Sequence, residues 1–162
     1  MFDPNDYFKT IAETHNKLLH TDDNPAYFRE FTSQSVMLNN SDFLLKMRNA
    51  KEVCIVSIFN GEKTFADNID NNSRTYVGSV FLMKRVKSVS EINAARIELE
   101  TIWEDIFAKL KKDIREGVVV IGHISAQQTP IGYIGDNYYS IAIFLSYSET
   151  FCHSYNPAMW TS

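Results

Sequence analysis

Four histidines, two cysteines and a spread of carboxylates are the side chains of this 162-residue chain with the chemistry to ligate a metal, move a proton or attack a carbonyl. His15, His20, His123 and His153 are dispersed, and none belongs to an HExxH run or a Cys/His cluster that would bring several ligands to one ion. His15 and His20, five residues apart, would stand about 140° apart around a helix, off any shared face. They read as solvated or capping side chains. Cys152-His153 sets a thiol beside a base, but adjacent residues of an extended chain point to opposite sides, and no neighbouring carboxylate would orient the imidazole. Cys54 lies inside an apolar run and Cys152 near the C-terminal end, spaced neither as a metal site nor as a disulfide framework.

Other constellations also fall short of chemistry. Asp67, Asn68, Asp70, Asn71 and Asn72 supply oxygen ligands without the glycine and closing glutamate of a calcium hand. Gly122, Gly132 and Gly135 do not form GxGxxG between a strand and a helix, and no GxxxxGK[ST] occurs, so these glycines read as turns or bulges. Glu98 with Glu100, and Glu104 with Asp105, read as the solvated face of a helix. Lys84, Arg85 and Lys87 near Phe81 are too few for nucleic-acid binding and enough for an interface ion pair. The expectation is no catalytic residue, no metal and no cofactor, hence not an enzyme.

The elements that carry these residues can be read from periodicity and punctuation. Asp3-Pro4 opens a helix in which Tyr7, Phe8, Ile11, Ala12, Leu18 and Leu19 recur at helical spacing as far as His20. Thr21 to Pro25 is turn chemistry, Ala26 to Ser35 holds a short helix, and another starts at Ser41. Val53 to Phe59, β-branched and continuously apolar, predicts a central strand covered on both faces. Gly61 to Ser73 reads as a long, mobile connection to a strand from Thr75 to Val86.

Ser88 and Glu91 have capping-box spacing, and Ile92, Ala95, Leu99, Ile102, Trp103, Ile106, Leu110 and Ile114 then mark one stripe of a long helix closed by Gly117, a rod of about 40 Å. A third strand falls between Val118 and Gln128. A fourth runs from Tyr138 to Tyr147, with Tyr139, Ile141, Ile143, Leu145 and Tyr147 on one face and Ser140, Ala142 and Ser146 on the other. The fold expected is α+β: a mainly antiparallel sheet of about four strands, a long helix packed on one face, N-terminal helices and a C-terminal arm. The chain reads as one domain, 1–162, with the arm at 148–162.

Composition bounds the partners. At 44% hydrophobic and 13% aromatic, with 11 Phe and 8 Tyr, the chain can fill a core and is not a disordered sequence. A net charge of -4 gives no basic field for nucleic acid. No apolar run reaches the roughly 20 residues of a membrane helix, and Met1 to Asp6 lacks the basic-then-apolar order of a signal peptide, so the expected setting is the cytoplasm without membrane. The large rings of Tyr147, Phe151, Tyr155 and Trp160 gather near the C-terminal end and read as exposed, on an arm that packs either on a neighbour or on its own domain, Tyr155 and Trp160 being equally suited to a partner contact and to an intrachain latch.

Several short motifs, in order, resemble a known pattern: His20-Thr21-Asp22 with Pro25 and Phe28; Asp70-Asn71 before a strand containing Gly78; Gly132-Tyr133-Ile134 with Asp136-Asn137; and Tyr155-Asn156-Pro157-Ala158-Met159-Trp160. The pattern is similar to that of small virion-morphogenesis proteins of tailed phages and prophages of gut anaerobes, although Ser140 stands where relatives carry a glycine after the Asp-Asn pair. The element order also resembles that of tail terminators and tail-completion proteins. The resemblance implies a hexameric ring that caps the tail tube, docks it to the neck or connector proteins on the head side, and resides in the virion after assembly in the host cytoplasm. The interface expected is Tyr147, Phe151, Tyr155, Trp160, Asp70 and Asn71. Two alternatives stand beside it: a neck or head-completion adaptor between portal and tail, and a small ligand-binding domain or enzyme whose site converges from distant residues.

Overall fold

The computed structural model describes residues 2–37, 41–61, 63–68, 71–134 and 137–150, with backbone alone at 35, 37, 63–68, 71, 72 and 150. Helix α1 (Pro4–Thr14) starts where Asp3 accepts the amides of Asn5 and Asp6 at 2.8 and 3.3 Å, and Pro4 takes a first-turn position where its missing amide costs nothing. Phe8, Ile11 and Ala12 form its buried face. The helix stops at Thr14, short of the expected His20, because His15 is extended and Leu19, at φ 45°, turns the chain. Leu18 enters the core from that turn, so apolar spacing alone carries the helix too far.

The expected short helix at Ala26 to Ser35 is instead strand β1 (Tyr27–Arg29) followed by helix α2 (Ser33–Met37). Tyr27 explains the strand: its hydroxyl meets Ser57 Oγ at 2.7 Å and the Asn5 carbonyl at 2.9 Å, fixing β1 parallel to the next strand. Helix α3 (Ser41–Met47) buries Phe43 and Met47. Strand β2 (Val53–Ile58) is buried at all six positions, as an apolar run without alternation demands.

The expected loop from Gly61 to Ser73 is largely a hairpin. Strand β3 (Lys63–Asn68) pairs antiparallel with the start of β4 (Asn71–Arg85), which begins well before Thr75. Cross-strand pairing makes this ladder, and pairing is not written in the hydrophobicity of one strand alone. Strands β2 and β3 lie end to end along one side of β4, β2 opposite Ser79 to Lys84 and β3 opposite Asn71 to Tyr76. At the junction the Phe59 ring lies on Gly78, where a Cβ would stand 2.1 Å from Phe59 Cδ1, and stacks on Phe8 at 5.9 Å.

A 3-10 turn (Val89–Glu91) leads into helix α4 (Ile92–Arg115). The capping box does not form: Glu91 accepts the amide of Lys87 at 2.8 Å, one residue before that of Ser88, and the Ser88 hydroxyl pairs with Ser90 Oγ. The 24 residues of α4 span about 36 Å and bury Ala95, Leu99, Ile102, Trp103, Ile106 and Leu110, and Gly117 closes the helix at φ 74°. Val118 and Val119 donate back to the Asp113 carbonyl, so β5 (Ile124–Ile134) starts later than Val118. Strand β6 (Tyr138–Thr150) absorbs Ser148 to Thr150, the first residues assigned to the arm; the rest of the arm lies outside the described residues.

The molecule is α+β, with six strands among the described residues where about four were expected, ordered β1-β2-β4-β6-β5, and β3 beside β4. Only β1 and β2 run parallel. β4 stands in the middle of this order, and β2, flanked by β1 and β4 and buried throughout, is an interior strand as expected. Helices α1 and α4 cover the face bearing Ser57, Leu82, Ile141 and Ile143: Ser57 bonds Asn5 of α1 at 2.9 Å, and Lys84 on that face pairs with Glu98 of α4. The opposite face is not left to solvent as a one-sided arrangement would have it. Cys54, Phe81, Met83, Ser140 and Ala142 are buried there, in one core with Val36, Phe43 and Met47 of α2 and α3.

Candidate functional site

The side chains with reactive chemistry are held by structural partners. His15 Nδ1 accepts the Lys17 amide at 3.2 Å and His20 Nδ1 accepts the Ala26 amide at 3.0 Å, so both imidazoles cap backbone, and burial pushes both below the ordinary histidine value. Cys54 is fully buried, and burial drives its thiol far above the range in which a thiolate forms near neutrality. Cys152 and His153 lie outside the described residues.

Asp113, 4% exposed, accepts the Tyr7 hydroxyl at 2.8 Å, and each of its oxygens lies 2.6 Å from Lys109 Nζ. Burial acts to raise its pKa, but the donors Lys109 and Tyr7 and the charges of Lys109 and Lys112 outweigh it and hold the carboxylate below its usual value. Glu98 is not a free face residue either, being paired with Lys84 and, at 3.6 Å, with Lys17. Among the described residues no three of His, Cys, Asp and Glu are grouped to hold a metal ion. Nor is any described helix long and apolar enough to cross a membrane.

The expected interface is corrected at Tyr147. It is 5% exposed and belongs to an aromatic cluster inside the chain, stacked on Tyr76 at 5.0 Å and edge-on to Phe2 at 5.2 Å. Strict alternation along β6 puts it on the α1/α4 face with Ile143 and Leu145, where an aromatic ring is core rather than anchor. Asn71 begins β4 opposite Asn68, far along the strand from Tyr147. Asp70, Phe151, Tyr155 and Trp160 lie outside the described residues.

The surface carries other features. Phe31 is 70% exposed, with the Arg29 guanidinium 6.0 Å from its ring centre, at the edge of a cleft of about 510 Å³ that also touches Phe2, Phe59, Tyr76 and Tyr147. At the other end of β4 a cleft of about 680 Å³ is lined by Leu44, Leu45, Met47, Arg48, Arg85 and Tyr138. Arg85 is fixed there: its Nη2 donates to Tyr138 Oη at 2.8 Å and to the Ala50 carbonyl at 3.2 Å, and its guanidinium lies over the Tyr138 ring. The sequence carried one usable signal for this cleft. Leu44-Leu45 are adjacent on a helix, so they cannot both share the buried face of Phe43 and Met47, and Leu45 stands 65% exposed. No family model and no curated protein matches this chain. Function is therefore argued from the fold and its surfaces.

Proposed function

We propose that this chain is a structural subunit of a tailed-phage virion, a tail terminator or tail-completion protein whose ring caps the tail tube and docks it to the connector on the head side. The observation that carries the reading is the sheet. Strand β5 is eleven residues long and pairs only with β6 among the described residues, and β3 likewise pairs only with β4, which leaves a strand edge on each side of the β4–β6 ladder. Unpaired edges are ready-made sites for another chain. The long helix stands between two groups of strands, as in the resemblance, but four strands, β1 to β4, precede it and two follow.

The mechanism is steric and chemical mismatch. A ring of heterologous contacts closes by rotation, presents one face that matches the tube and another that does not, and so stops further tube subunits from adding. The homo-oligomer, the tail tube protein and the connector are the partners, and neither nucleic acid nor membrane is required.

Native mass spectrometry across a concentration series, with and without tail tube, tests the proposal. Closed sixfold rings, formed alone or on addition of tube, are the expected result. Twelvefold species would replace the terminator with a neck adaptor, and a monomer indifferent to tube would overturn both.

A further inference from the structure

Between β2 and β3 the chain carries its one Asn-Gly step, Asn60-Gly61. In such a pair the asparagine side chain is open to attack by the next backbone nitrogen, because glycine sets no Cβ beside that nitrogen and lets it reach conformations that other residues avoid. The structure leaves this pair room to react. Ile58, the last residue of β2, pairs with Ser79, and Lys63, the first of β3, pairs with Tyr76, so the chain from 58 to 63 passes a stretch where β4 has only Val77 and Gly78. The connection is longer than the ladder needs, and Asn60 and Gly61 stand outside both strands, exposed. Gly61 has φ 81°, and beyond its chain neighbours no atom lies within 4 Å of the place a Cβ would take. Asn60 Nδ2 donates to the Phe31 carbonyl at 3.5 Å, a long bond that holds the amide weakly. Asn72-Ser73, another asparagine followed by a small residue, is by contrast set in the ladder, opposite Asp67 and Ala66.

We propose that Asn60-Gly61 is a site of self-modification, at which the folded chain deamidates without an enzyme. The Gly61 backbone nitrogen attacks Asn60 Cγ; the new N–Cγ bond replaces Cγ–Nδ2, and the side-chain nitrogen leaves as ammonia with the proton of the Gly61 amide. Water then opens the five-membered imide. Addition at Cγ gives aspartate, and addition at the Asn60 backbone carbonyl gives isoaspartate, whose main chain runs through the side chain and is one methylene longer. An amide and a water become a carboxylate and ammonium, with no oxidant or reductant. Either product puts a negative charge on the wall of the cleft that Asn60 shares with Arg29 and Phe31. A carboxylate accepts only, so the bond from Asn60 to the Phe31 carbonyl is lost. The longer isoaspartyl main chain falls where the connection has slack, and the registers of β2 and β3 on β4 are kept. The site does not depend on whether the chain forms a ring.

Incubation of the full folded chain in mildly alkaline buffer at body temperature, followed by ion exchange and tryptic mapping against a zero-time control, tests the proposal. Trypsin releases the pair in the peptide from Glu52 to Lys63. The expected result is a growing acidic species whose mass gain, that of an amide turned to an acid, maps to Asn60, with isoaspartyl and aspartyl forms of the peptide eluting separately. Asn60→Gln, which cannot close the five-membered ring, is expected to leave that peptide unchanged. The mapping of the wild type stands by itself if this variant does not fold. A peptide that stays unmodified in the folded chain while it converts in urea would show that the fold protects the pair, and would overturn the proposal. So would an acidic species that maps elsewhere.

Discussion

Gly78 shows how one side chain's absence can position two elements. The Phe59 ring occupies the space a Cβ would need and is held on its other side by Phe8, so α1, the end of β2 and β4 meet through one aromatic. Gly78→Ala forces Phe59 to move within a packed core, and the expected loss is about 1–3 kcal/mol, measured by denaturant unfolding. An unchanged midpoint would mean that the ring has room to move. Gly78 was visible in the sequence only as a glycine within a strand; the ring that requires it comes from a residue 19 positions earlier, and no local pattern predicts that meeting. Tyr147 teaches the reverse. Its alternation along β6 was legible, and following it through would have placed the ring inside.

At the level of elements, α4 was the most legible because its stripe repeats over many turns, and six of the eight stripe positions are buried. What periodicity did not reveal is how α1 is fastened to it. Asp113, near the C-terminal end of α4, accepts the Tyr7 hydroxyl, while its backbone carbonyl takes the amides of Val118 and Val119. Asp113→Ala strands the Tyr7 hydroxyl and frees Lys109. The expected cost is about 1–3 kcal/mol, with faster hydrogen exchange in α1 as the specific readout. A loss of stability with α1 protection unchanged would show that other contacts hold the helix. The β3–β4 hairpin was the least legible element, because its Asp and Asn residues carry turn chemistry and only the partner strand makes them a ladder.

For the whole molecule, the buried and paired titratable groups determine how stability depends on pH. His15 and His20 are held below the ordinary value of 6.5, so their contribution is present above that pH and is lost as pH falls through their folded-state values. Glu98, lowered by its bond from Lys84, and Asp113 add a second loss below about pH 4. Lys84, raised chiefly by its bond to Glu98, and the tyrosines Tyr7, half-buried, and Tyr147, buried, act in the opposite sense, their contribution being lost as pH rises above about 10. Calorimetry is expected to show a plateau between about pH 7 and 10 and two steps on the acid side. The double variant His15→Asn with His20→Asn is expected to remove the first step; a first step that survives would place its origin elsewhere.

The pairing of β4 with β6 has a consequence for synthesis. β6 is the last described strand, and all of α4 and β5 must be made before it can close the second side of β4. A ribosome still short of Tyr138 therefore carries a nascent chain whose longest strand, rich in Val80, Phe81, Leu82 and Met83, has one side open. During that interval the chain is most exposed to aggregation and to capture by a chaperone.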